Sequence, residues 1–106
     1  MFANYLDKPL QKTATSGNGE AVELNGVRVV TAYVIGNGAV SAGAVQLEQS
    51  HSKDYTGAWA AIGAATTVVA NGVVATSIGP VALKAIRARI TTPVTGGTVT
   101  VHVVAS

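Results

Sequence analysis

Residues 98–103 alternate strictly, with Val99, Val101 and Val103 on one side of an extended chain and Thr98, Thr100 and His102 on the other. A period of two belongs to a β-strand with one face buried. The same period recurs along the chain. Leu83–Ile90 places Ile86, Ala88 and Ile90 on one face and Arg87 and Arg89 on the other. Ala44–Gln49 directs Val45 and Leu47 one way and Gln46 and Glu48 the other, and Glu20–Leu24 alternates as well. Val27–Ile35 is nearly continuous apolar sequence, the mark of a central strand covered on both faces. Shorter strands are expected at Ala58–Ile62, Thr66–Ala70 and Val73–Ile78.

Turn chemistry punctuates these segments. Asn25-Gly26 and Asn71-Gly72 are hairpin signals, because Asn and Gly accept the positive φ that tight hairpin turns require. Gly36-Asn37-Gly38 and Pro93–Gly97 read as turns, and Gly79-Pro80 as a chain break. The last strand is free to pair with Leu83–Ile90 or to cross between sheets. Ala58–Ala65 is Ala-rich enough for a helix, but it is short and has Gly57 and Gly63 at its ends. The expectation is an all-β, antiparallel β-sandwich, jelly-roll-like, of about eight short strands spanning residues 20–106. Residues 1–19 form an extended N-terminal arm. Its Phe2, Tyr5 and Leu6 are anchors that dock either on the domain's own sheet or on a neighbouring chain.

Composition sharpens this picture. The apolar mass is 18 Ala and 17 Val against five Leu and five Ile, and Val, Ile and Thr total 34 of 106 residues. Such β-branched side chains suit a pleated surface better than a helix. Charged residues are only 11% of the chain, against about a quarter in ordinary soluble domains. A chain this poor in charge either wets its surface with Thr, Ser and Gly or covers apolar patches with other polypeptides; permanent association is the expectation.

Charge and motif content narrow the functional classes. The net charge is +2, the seven basic residues are scattered, and five aromatics are too few to act as base-stacking platforms, so nucleic-acid binding has little support. There is no cysteine, hence no disulfide or thiolate metal site. No apolar run reaches the length of a membrane span, and the N-terminus lacks a basic start followed by an apolar block. His51 and His102 have no Glu or His at metal-ligand spacing and read as solvated or interfacial. Glu20 and Glu23 fall on opposite strand faces, which removes them as a catalytic pair. Asp54 alone is too little for calcium. The expectation is a non-enzyme without cofactor or metal. Glu48 opposite Arg87 or Arg89 forms either a cross-strand ion pair or a subunit contact. Trp59 is either the largest core residue or an exposed platform for sugar.

From Gly43 onwards the chain resembles small β-sandwich proteins of tailed-bacteriophage particles. The resemblance rests on Gly43-Ala44-Val45-Gln46-Leu47-Glu48-Gln49-Ser50, Gly57-Ala58-Trp59, Ile86-Arg87-Ala88-Arg89-Ile90 and Gly96-Gly97-Thr98-Val99-Thr100-Val101. The order of these segments also resembles discoidin-like jelly rolls. The loop before Trp59 is longer than in the compact form of the pattern. The resemblance implies a virion component made in the bacterial host cytoplasm: a capsid decoration or cement protein on the phage head, or a head-tail or tail accessory protein. Its partners would be the major capsid protein or other virion proteins, and it would be a homo-oligomer, a trimer by resemblance. Phe2, Tyr5, Leu6, Glu48, Arg87 and Arg89 are the candidate contact residues. A jelly-roll carbohydrate-binding module using Trp59, Tyr55 and Asp54 is the rival reading.

Overall fold

The computed structural model describes residues 6–24 and 27–105. Every regular element among them is a strand: β1 (Leu6–Ala14), β2 (Val22–Glu23), β3 (Val27–Ser50), β4 (Ala60–Ala61), β5 (Thr66–Thr67), β6 (Val73–Ala82) and β7 (Ala85–Ala105). All pairings are antiparallel. The all-β expectation is met with fewer, longer strands. β3 and β7 have 24 and 21 residues and pair from Val30↔Ala105 to Ser50↔Ala85.

The short strands flank this central pair in two long runs. β1 lies along β7 from Leu6↔Ala105 to Ala14↔Val99, and β2 continues on the same edge at Val22↔Ile86. Between them Val94 N–H donates to the Thr15 carbonyl and Ile90 N–H to the Gly17 carbonyl. Along the other edge, β4, β5 and β6 pair in succession with β3, from Gln49↔Ala60 to Val27↔Ala82. The ribbon is thus four runs wide, in the order 6–24, 85–105, 27–50, 60–82.

Connection lengths then force this ribbon to fold over. Leu24 lies beside Lys84, at one end of β7, whereas Val27 begins β3 beyond the opposite end of β7. Ala82 pairs with Val27, yet Ala85 pairs with Ser50 at the other end of β3. Each link joins opposite ends of the ribbon within three residues, at most about 11 Å of chain. The ends must therefore meet, which makes two layers. One holds β1, the start of β3, β6 and the end of β7. The other holds β2, β4, β5, the end of β3 and the start of β7. Val30, Ala32, Val34, Val99, Val101 and Val103 from the first layer and Val45, Leu47, Ile86, Ala88 and Ile90 from the second form one core.

The fold lies where the β3–β7 register breaks, between Gly38 and Val45 on β3. Gly36-Asn37-Gly38 and Pro93–Gly97 do not reverse the chain as turns. They face each other, with Asn37 opposite Thr98 and Gly38 opposite Gly97, so both strands bend together. Gly38 and Gly96 take φ of +86° and +83°, open to glycine without strain. Asn71-Gly72 likewise forms no hairpin, since β5 and β6 run in the same direction along β3. Asn71 bridges the bend instead: its N–H donates to the Gly38 carbonyl and its Oδ1 accepts from Gly38 N–H, each at 3.1 Å. Gly79-Pro80 does not end its strand but forms a bulge between Val30↔Ile78 and Arg28↔Val81. Ala58–Ala65 contains β4 and no helical turn. The Asn25-Gly26 signal lies outside the described residues.

Of the two placements open to the N-terminal segment, residues 6–14 take the domain's own sheet. Leu10 is in the core, and Gln11, also buried, donates from Nε2 to the carbonyls of Ala88 (2.8 Å) and Gly17 (3.1 Å). Gln11 belongs to the first layer and Ala88 to the second. The side-chain amide replaces a rung missing from the edge of β7 between Gly17 and Val22, and it ties the layers together.

Candidate functional site

Strand alternation places Glu48, Arg87 and Arg89 on the outer face of the second layer, with Glu48 directly opposite Arg87 and Gln46 opposite Arg89. That face is only partly open to solvent. The connection from β3 to β4 folds back over it and brings Trp59 onto the guanidinium of Arg87, with Cζ 4.5 Å from the ring centroid. The indole N–H donates to the Tyr55 carbonyl at 3.0 Å, which fixes the ring's orientation. Glu48 is buried and both its oxygens are used. Oε1 accepts from Arg87 Nε, with Arg87 Nη2 also at 2.8 Å, and Oε2 accepts from Arg89 Nε at 2.9 Å. The pairing of Glu48 with both arginines is intramolecular.

The two arginines then differ. Arg87 is enclosed between carboxylate and indole, its side chain 15% exposed; the Arg89 side chain is 45% exposed and meets Glu48 through Nε alone. The outward edge of Arg89 is the part of this cluster open to a partner. The alternative use of Trp59 as a sugar platform is corrected here: the residue is 8% exposed and one face of its ring is under Arg87. Tyr55 is exposed and its ring tilts against His51, centroids 5.0 Å apart.

The outer face of the first layer is different in kind. Its rows include Thr31, Tyr33 and Ile35 on β3, Val73, Ala75 and Ser77 on β6, and Thr100, His102 and Val104 on β7. Val29, Tyr33 and Val73 are 48%, 37% and 58% exposed. The polar groups there are mostly paired with one another. Asn37 Nδ2 donates to the hydroxyls of Thr98 and Thr100, the hydroxyls of Thr31 and Ser77 meet at 3.1 Å, and His102 Nε2 contacts the Asp7 carboxylate. This surface is wetted by hydroxyls and broken by exposed apolar side chains, as a chain with 11% charge requires.

The candidate contact residues therefore separate. Glu48, Arg87 and Arg89 are one cluster. Leu6 opens β1 opposite Ala105, at the edge of the other layer. Phe2 and Tyr5 lie outside the described residues. Gln11, the polar tie between layers, carries no signal in the sequence, because it sits in a polar stretch without alternation.

No protein-family model and no curated protein matches the chain. The fold itself matches the crystal structure of SPBc2 prophage-derived protein YomS, with a TM-score of 0.70 and 18% identity, over 97% of this chain and 94% of that one. At that identity the likeness is one of fold, and it covers nearly the whole chain. The chain thus has the fold of a prophage-derived protein.

Proposed function

We infer that this chain is a structural protein of a bacteriophage particle, acting by binding other virion proteins rather than by catalysis, and that its place is the head, as a capsid decoration or cement protein. The observation that carries the reading is the fold shared with YomS along nearly the whole chain. The low charge and the exposed Val29, Tyr33 and Val73 support it, because specific interfaces bury about 1,200 Å² or more and draw on such surface. Arg89 offers a partner carboxylate a guanidinium already oriented by Glu48. Phe2 and Tyr5, aromatic residues that precede β1 in the sequence, are the proposed contacts to a neighbouring subunit.

The test is made on particles released by the bacterium that encodes the chain, banded on a density gradient and labelled with antibody. The protein should co-sediment with particles and label heads. Labelling confined to tails would move the role to a head-tail or tail accessory protein. Protein remaining at the top of the gradient, with every particle band unlabelled, would sink the reading. Deleting residues 1–5, which leaves β1 intact, and Arg89→Ala should each weaken rebinding to stripped particles by about tenfold, the equivalent of about 1.4 kcal/mol.

A further inference from the structure

The first layer has two outer edges, and they are built differently. β1 carries Asp7, Lys8 and Lys12, all exposed, and has Pro9, which lacks an N–H; its pairing with β7 is also broken by two irregularities. These are the usual defences of an edge strand against adding another strand. β6 has none of them over Val73–Ile78. Between Tyr55 and Leu83 the chain contains no Asp, Glu, Lys or Arg. Its register with β3 is unbroken from Ile35↔Val73 to Val30↔Ile78.

The hydrogen-bond phase shows which groups of β6 face away from β3. Gly36 N–H donates to the Gly72 carbonyl. In an antiparallel ladder bonded pairs alternate with unbonded ones, so Val74 and Thr76 bond to β3 and the intervening residues do not. The N–H and C=O groups of Val73, Ala75 and Ser77 therefore point away from β3 along an edge that no other described strand pairs with, and all three residues are exposed.

We propose that β6 is a self-association edge, at which two copies of this chain pair antiparallel about a two-fold axis through Ala75, forming one continuous sheet. Ala75 would meet its own copy and Val73 would meet Ser77, with about six backbone hydrogen bonds exchanged. A second copy is the occupant these features favour. Two-fold pairing sets like against like, and an uncharged edge meets its copy without repulsion. Pairing β6 with β1 of the next copy would give an open filament, and the charges, Pro9 and bulges of β1 oppose it. The product is a dimer, not the trimer that family resemblance implies.

Sedimentation velocity of the full chain from about 10 µM to about 1 mM, with near-UV circular dichroism as the check on folding, tests this. The wild type should pass from monomer to dimer mass. Ala75→Pro removes an outward N–H without touching the ladder to β3, and Ser77→Lys places a charge on the edge. Each should weaken association by about tenfold or more. Hydrogen exchange gives an independent reading on the unmutated protein: the amides of Val73, Ala75 and Ser77 should slow as concentration rises. A wild type that is monomeric throughout, or that sediments as a trimer, overturns the proposal. So does association that survives both substitutions, or that is lost only when residues 1–5 are removed, or exchange at these amides that does not change with concentration.

Discussion

Glu48 shows how one side chain can organise a surface. A carboxylate buried on the outer face of a sheet is unfavourable unless its charge is met, and here two guanidiniums meet it. The Arg87 guanidinium is spread flat on Trp59, so the loop that carries Trp59 is held to the sheet through a charge that Glu48 neutralises. Removing the carboxylate leaves Arg87 enclosed without a counter-charge, so Glu48→Ala should cost about 3–5 kcal/mol in urea unfolding. Arg89→Ala removes only an exposed partner and should cost within about 1 kcal/mol. Equal losses from the two substitutions would show that the cluster has no buried centre. The alternation of residues 44–49 and 83–90 was enough to place these three charges on one face. That Glu48 is buried there was not legible, because the covering loop has no periodicity and its approach is decided by Arg87 and Trp59 meeting across residues distant in sequence.

At the scale of the element, the feature that makes the fold is the shared bend of β3 and β7. Gly96 combines φ of +83° with a close approach: a Cβ there would run into the Ala39 carbonyl. Gly17 has φ of +101° and open space around its Cβ position. Both Gly→Ala substitutions incur the backbone term, about 1–3 kcal/mol, but only Gly96→Ala adds a collision with main chain. Thermal melts should rank Gly96→Ala clearly below Gly17→Ala; identical melting temperatures would remove the close approach from the account. The alternating strands were legible because their period is local: Val99, Val101 and Val103 are inward as the pattern requires. Among the described residues, the turn signals marked bends and bulges within long strands, not the reversals and break expected of them. Gly36-Asn37-Gly38 permits a reversal or a bend, and Gly97 lying across from Gly38 decides between them. That information belongs to the pairing, not to the segment.

At the scale of the molecule, the two layers are not separable units, because each is built on half of β3 and half of β7. The links 24–27 and 82–85 cross between layers, and Gln11 of the first layer bonds to Ala88 of the second. Losing one layer would expose the Val-rich face of the other, and small side chains leave little reserve to stabilise it alone. Unfolding should therefore be a single cooperative transition. Trp59, the chain's one tryptophan, reports on the second layer through its fluorescence, while the amides of Val34 and Val101 report on the first through hydrogen exchange. The free energies from the two probes should agree, and refolding should be single-exponential and slow, on the order of milliseconds to seconds, since nearly every pairing joins residues far apart in sequence. An early loss of Trp59 fluorescence with Val34 and Val101 still protected would mean that the second layer opens by itself, and that the shared strands do not couple the two halves.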